Sequence, residues 1–291
     1  MKKKLLSGIL FSSAGSFWWG VIGVFYFKYV SFAGTVELVV HRTIWTAFIL
    51  LLSIIFYSRW DFFFEILNNK KKLFILFISG LLIFINWFTW IYAVVTNRLV
   101  DASFGYYIFP ILSVLFGFIF FKEKLNKKRI ISIFLVLISI IYLLFNFKSI
   151  PWIGLTVAIT WSTYNLLRKK INVRTDIGLF IETIFIVPIA LILFYFISQK
   201  GLNDFSFSNP DIMFWLFLAG PVTVIPLYLY LRGVELAGLG AAGMVFFITP
   251  TGQFLLGIFY FNEIFNVHKL IGFIFIWIAV IIYLKDLNQS K

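Results

Sequence analysis

The sequence predicts an all-α membrane protein of ten transmembrane helices, arranged as two inverted five-helix repeats. Three observations predict it. The composition is too apolar for a water-exposed fold, ten apolar runs are long enough to cross a bilayer, and landmark residues return at an offset of 140.

Of the 291 residues, 62% are hydrophobic and 13% charged, and Phe alone occurs 39 times. Mean hydropathy is +0.99. Soluble domains carry roughly 25% charged residues, so lipid is the solvent that makes this composition workable. The net charge of +13 would point to nucleic acid in a soluble chain. Here the cations lie in short connections between apolar runs, where they orient membrane helices instead. Cysteine is absent, which excludes disulfides, thiol nucleophiles and zinc–thiolate sites. The two histidines, His41 and His268, do not suggest a metal cluster.

Crossing the hydrocarbon takes about 20 apolar residues as a helix. The first run, 5–27, follows Lys2-Lys3-Lys4 and contains the bulky pair Trp18-Trp19. It shows no clear small-residue cleavage site, so it is expected to stay as the first membrane helix. The others are 35–57, 73–96, 100–121, 128–147, 150–168, 176–198, 211–231, 239–261 and 267–285. Segment 59–71, opening Arg59-Trp60-Asp61, predicts a short interfacial helix. Of the Lys and Arg residues, 19 fall on the side holding both termini, 5 on the other, and Arg42 lies within a run. That bias predicts cytoplasmic termini and an even number of spans.

The repeat runs through most of each half. Gly80 returns as Gly220, Ala102 as Ala242, Ile108 as Ile248, Pro110 as Pro250, Gly117 as Gly257 and Glu123 as Glu263. Thr43-Ile44 returns as Thr183-Ile184. The expected units are 1–147 and 148–291. Each holds five spans, an odd number, so the copies enter the membrane in opposite senses. Such folds bind substrate near the midplane between the repeats.

Several stretches resemble the drug/metabolite transporter superfamily, in its EamA branch and RarD-like group. They are Glu37 through Trp45 (ELVVHRTIW), Asn86-Trp87, Ala102 through Pro110 (ASFGYYIFP), Leu167 through Lys170 (LRKK), Ile181-Glu182-Thr183 and Val222-Thr223 with Pro226. The resemblance covers essentially the whole chain. Lys122-Glu123 departs from the Gly-Glu usual there. The resemblance implies a permease of the bacterial inner membrane and leaves its substrate open.

Arg42 and Glu182 lead the candidate substrate-binding residues. Both are charges within spans, which are costly and usually functional, and they are mates at the 140 offset. In one reading Arg42 binds an anionic group such as a carboxylate, and Glu182 binds an amine or a coupling proton. In the other they form a fixed salt bridge between the second and seventh spans. His41 follows Glu37 by one turn, so the two share a proton, or His41 bonds a neighbouring helix. Pro110 and Pro250 remove backbone donors in mid-span, at hinges or static kinks. Asn86, Trp90, Ala93 and Asn97 share one helix face suited to a cavity wall. Ser12, Ser16, Trp19 and Gly23 share another. Tyr106, Asn165 and Gln253 complete the lining set. Glu123 and Glu263 are expected to fix loops, by hydrogen bonds or to Lys127 and Lys128. The glycines Gly105, Gly117, Gly240, Gly243 and Gly257 are expected to allow close helix approach.

No phosphate-binding loop or catalytic motif is present, so movement of solute would follow a gradient. No cofactor, metal or catalytic residue is expected, and coupling to protons stays open. The expected partners are a small molecule, such as an amino acid or amphiphilic aromatic, and the bilayer, not nucleic acid. A non-transporting receptor or lipid-handling protein is the alternative, ahead of a membrane enzyme.

Overall fold

The computed structural model describes residues 2–96, 98–145, 152–260 and 267–289, and it is helical throughout with no strand among them. The first predicted run forms α1 (Lys2–Phe17), a π-helical turn (Trp18–Ile22) and α2 (Gly23–Tyr29). A 3₁₀ turn at Val30–Ala33 leads to α3 (Gly34–Phe56), then α4 (Trp60–Leu67) and α5 (Lys70–Val95). There follow α6 (Leu99–Phe121), α7 (Lys127–Phe145), α8 (Trp152–Ile171) and α9 (Thr175–Gln199). The chain continues with α10 (Pro210–Phe217), α11 (Ala219–Ala237), α12 (Leu239–Val245), α13 (Ile248–Phe259) and α14 (Val267–Gln289).

All ten predicted runs are thus helical where described. Five helical stretches are long and apolar enough to cross a membrane, among the described residues: Lys3–Phe56, Lys70–Val95, Thr175–Gln199, Pro210–Ala237 and Leu239–Leu256. The first is 54 residues long, far more than one crossing needs. Gly34 breaks it with φ +71°, a conformation in which a side chain would be strained. Large apolar side chains stand exposed along the helices, among them Phe74, Phe134, Ile159, Ile192 and Phe196. In water such surface would aggregate; in acyl chains it is solvated.

Local signals set the helix ends. Asn69 caps α5 by accepting from the Lys72 amide at 3.0 Å, and Asn209 caps α10 by accepting from the Ile212 amide at 3.3 Å. Both donor and acceptor repeat at the 140 offset. Each such cap stabilises its helix by about 1 kcal/mol. Pro210 at the start of α10 gives up a donor that would be unpaired anyway. Asp176 in the first turn of α9 complements the positive end of the helix dipole.

Two predicted single runs are each split in two. Run 211–231 breaks at Leu218, and run 239–261 breaks at Phe246–Phe247. The second break has a local cause. Pro250 has no N–H, which frees the carbonyl of Phe246, and the Thr249 amide takes it over at 2.9 Å. Pro110, its mate, sits inside an unbroken α6.

The chain forms two compact units. The first comprises Met1–Val21, Val100–Ser162 and Leu229–Lys291; the second, Ile22–Leu99 and Thr163–Tyr228. In the first unit α7 packs along α14, and α1 packs on α12 and α13. Tyr107, Val114, Val136, Met244, Ile276 and Tyr283 lie in its core. In the second unit α3 packs along α9, with α5 against both. Leu38, Val39, Leu50, Ile54, Ile177, Ile181 and Ile186 are buried there.

Close approach is set by glycines. A Cβ on Gly80 in α5 would lie 2.9 Å from the Glu182 carbonyl oxygen of α9. A Cβ on Gly220 in α11 would lie 2.8 Å from the Trp45 backbone of α3. In the first unit Gly105 meets the Gly154 carbonyl, and Gly20 and Gly252 bring α13 onto the π turn. Lipid tails offer helices no hydrophobic drive to associate, so such contacts carry the packing.

Candidate functional site

Glu182 lies in the middle of α9, fully buried. Its Oε1 is 2.5 Å from Ser79 Oγ in α5, and its Oε2 accepts from the Tyr164 hydroxyl of α8 at 3.0 Å. Ser79 Oγ is also 3.1 Å from the Leu76 carbonyl oxygen. The cation beside Glu182 is Arg168, one turn after Tyr164, with Nε 3.6 Å from Oε1. Arg168 is itself buried, and its Nη2 donates to the Thr175 carbonyl at 3.2 Å. The guanidinium occupies the space where Gly178 has no side chain. Arg168 Nε and Nη1 meet no hydrogen-bond acceptor among the described residues.

The reading in which Arg42 and Glu182 form a fixed bridge therefore gives way. The ion-pair partner of Glu182 is Arg168, while Arg42 stands over the rings of Trp87, at 4.5 Å, and Phe27, at 5.0 Å. Trp90, a predicted lining residue, meets Phe27 edge to face at 5.3 Å. Its indole Nε1 is buried with no acceptor among the described residues. Asn86 is buried on the same face of α5, while Asn97 lies outside the described residues. The guanidinium thus stands over two rings, and Trp90 packs on one of them.

His41 and Glu37 are brought together, at 3.4 Å. His41 Nδ1 accepts from Trp45 Nε1 at 3.2 Å, on its own helix, and the imidazole lies on the Phe205 ring at 4.7 Å. The Glu37 carboxylate accepts from the amides of Asp204 and Phe205, at 2.9 Å each. The pair thus locks loop 200–209 onto α3. Asp204 has its carboxyl pushed above the usual range near 3.8, by burial and then by the like charge of Glu37.

The first unit holds a second assembly, a closed cluster of aromatic rings. Trp19, in the π turn, meets Trp161 edge to face at 5.3 Å, Tyr230 at 5.9 Å and Phe246 at 6.0 Å. Phe109 meets Phe246 at 4.8 Å, and Tyr106 meets it at 5.4 Å. The Tyr230 hydroxyl and both amide atoms of Gln253 are buried without hydrogen-bond partners among the described residues. Backbone irregularity adjoins the cluster twice, at the π turn and at the Phe246–Phe247 break. The two are tied by the Thr249 hydroxyl, which donates to the Ser16 carbonyl at 2.8 Å. Asn165 is fully buried in α8, in the second unit.

Of the two roles expected for Glu123, the structure shows the hydrogen-bonding one. Its carboxylate accepts from the amides of Leu239 and Gly240, at 2.8 and 3.0 Å, rather than meeting Lys127 or Lys128. Gly117 and Gly240 leave room for that carboxylate. Gly105 and Gly243 serve close approach as expected, to Gly154 and Ser113. Glu263 lies outside the described residues.

Sequence reasoning missed Arg168, Tyr164, Ser79, Trp161, Tyr230, Phe109 and Phe246. Arg168 opens the run Arg168-Lys169-Lys170, so in the sequence it looks like one more loop cation. Its spacing of four from Tyr164, on the same helix face, was the available signal.

The sequence of this chain matches the model of the EamA-like transporter family twice, over residues 6–145 and 148–285. The chain belongs to that family, and is a multi-pass membrane transporter rather than an enzyme. It is 31% identical over 284 residues to "Protein RarD" of Salmonella typhi, covering 98% of this chain and 96% of the relative. "Protein RarD" of Escherichia coli (strain K12) is 30% identical over the same shares. "Uncharacterized transporter YojE" of Bacillus subtilis (strain 168) is 32% identical over 279 residues, 95% of this chain and 93% of its own. A crystal structure at 14% identity superposes with a TM-score of 0.68 over 95% of this chain and 96% of its own, a likeness of fold.

Proposed function

We propose that the chain is a secondary transporter of the bacterial inner membrane. It moves a small metabolite, an amino acid or amphiphilic aromatic compound, by alternating access. The two repeats, 1–147 and 148–291, are inverted, with ten spans in all and both termini cytoplasmic.

One observation carries the reading. Gly80 of the first repeat sits on α9 of the second, and its mate Gly220 of the second sits on α3 of the first. A contact that recurs with the repeats exchanged is the mark of a two-fold relation. With five spans per repeat, that axis lies in the membrane plane. The paired caps at Asn69 and Asn209 support the same register. Thr43 and Thr183 add to it, each donating to the carbonyl four residues earlier at 2.9 Å.

Arg42 with Trp87, Trp90 and Asn86 suits an anionic or aromatic solute, and Tyr106, Trp19, Asn165 and Gln253 are assigned to the lining. His41 is assigned to positioning. Pro250, beside a helix break, is the better hinge of the two prolines.

Two experiments test the reading. The chain has no cysteine, so single cysteines report sidedness cleanly. Lys71→Cys and Asp211→Cys, repeat mates, should label from opposite faces of the membrane; labelling from one face would refute the inversion. Purified protein in liposomes should show saturable flux of at least one labelled amino acid or aromatic amphiphile. No flux across a broad panel, from a well-folded sample, would refute transport.

A further inference from the structure

We propose that Glu182 is a proton-binding site, holding its proton against Ser79, and that Arg168 is the partner it takes when the proton leaves. The inference deepens the transport reading and rests on it for its consequence, a coupling of flux to protons.

The geometry around Ser79 carries the argument. A serine hydroxyl has one proton to donate. Ser79 Oγ lies 2.5 Å from Glu182 Oε1 and 3.1 Å from the Leu76 carbonyl oxygen, both acceptors if Glu182 is ionised. If Glu182 carries a proton on Oε1, it donates to Ser79, and Ser79 donates on to Leu76. Oε2 is then the carbonyl oxygen that accepts from Tyr164. In that arrangement each of these polar atoms has a partner, and the single Ser79 proton is not asked to serve two acceptors.

Arg168 supplies the second half. An ionised, fully buried carboxylate is costly unless it is hydrogen-bonded to its countercharge. Arg168 Nε stands 3.6 Å away, beyond hydrogen-bond distance. Its Nε and Nη1 meet no other acceptor among the described residues. The guanidinium is held back by the Thr175 carbonyl and seated over Gly178. Loss of the proton to water would leave a carboxylate facing two unused N–H donors. The two would close into a charge-assisted pair, drawing α8 toward α9. Protonation would let them part. A proton thereby changes the packing of two helices, which is what a coupled transporter requires.

The other charged groups on packed elements are engaged elsewhere. On α3, His41 Nε2 lies 3.4 Å from Glu37, Glu37 accepts from the amides of loop residues 204–205, and Arg42 lies over Phe27 and Trp87. On α9, Asp176 pairs with Arg59 and Arg174. On α5, the described group facing Glu182 is Ser79.

Infrared difference spectroscopy on the purified full chain tests the site without transport. A protonated-acid C=O band should be present at neutral pH and vanish in Glu182→Gln. Its absence in the wild type, or its survival in the variant, would overturn the proposal. Ser79→Ala removes an acceptor from the proton-bearing form, so the band should titrate with about tenfold weaker proton affinity. A tenfold tighter affinity would mean that Ser79 donates to a carboxylate, and would also overturn it. This second variant keeps the test sharp should Glu182→Gln fold poorly. In liposomes, flux of whichever solute moves should respond to a pH gradient in the wild type. In Glu182→Gln whatever flux remains should no longer respond to the gradient. A band that behaves as described with no flux of any solute would sink transport but leave the proton site standing. Flux with an unchanged pH response in Glu182→Gln would sink the coupling.

Discussion

Gly80 lies against the backbone of Glu182, so close that a methyl group on the glycine would sit 2.9 Å from the carbonyl oxygen. The buried carboxylate is therefore set by backbone packing as well as by its own hydrogen bonds. Replacing a helical Gly by Ala ordinarily helps, by up to about 1 kcal/mol. Here the obstacle is backbone, which does not swing aside, so Gly80→Ala should lower stability by about 1–3 kcal/mol. Gly220→Ala should do the same at the Trp45 backbone. Thermal unfolding in detergent is the check, and a rise in Tm for either variant would contradict the packing described.

The caps offer a milder, paired prediction. Asn69→Ala and Asn209→Ala each remove a side-chain acceptor from a helix N-terminus. Each should cost about 1 kcal/mol, and Asp at either position should restore most of it. Denaturant midpoints of the single and Asp variants measure this directly.

Tyr230→Phe separates stability from ligand contact. The Tyr230 hydroxyl is buried with no partner among the described residues. Removing a buried, unsatisfied polar group is neutral or stabilising, by about 1 kcal/mol. The variant should keep or raise its Tm. A solute that hydrogen-bonds this hydroxyl would show a higher KM with little change in maximal flux, measured in liposomes.

Asp204 gives a pH dependence with a definite sign. Its carboxyl is held above the usual value near 3.8, by burial and by Glu37. The folded state therefore binds the proton more tightly than the unfolded chain does. The stability this contributes is full below about 3.8 and is lost as pH rises through the folded-state value. Asp204→Asn should accordingly be the more stable protein at neutral pH, with the advantage fading in acid and in high salt. Unfolding midpoints across pH, at two ionic strengths, decide it.

Much of this was legible in the sequence because lipid imposes a simple rule: apolar runs bounded by charge become helices. The ten runs and the short segment after Arg59 were found on that basis. What escaped was irregular backbone. The π turn at Trp18–Ile22 and the break at Phe246–Phe247 rest on Gly20, Gly252 and the Thr249–Ser16 bond, contacts between segments more than 200 residues apart. Arg42 and Glu182 were found as costly charges and as mates, yet mates under a repeat need not touch. Their actual neighbours depend on helix faces and tilts that periodicity does not encode. Arg168 was hidden by its company, since a cation opening a basic run looks like any other loop cation.

The pairing of α7 with α14 has a consequence for biogenesis. The two are separated by more than 120 residues of chain, and among the described residues theirs is the most extensive helix contact in the unit. During synthesis the face of α7 that α14 covers must wait in the bilayer until α14 leaves the ribosome. Nascent chains arrested before that point should be open to degradation, and quality control acting on this protein would act late.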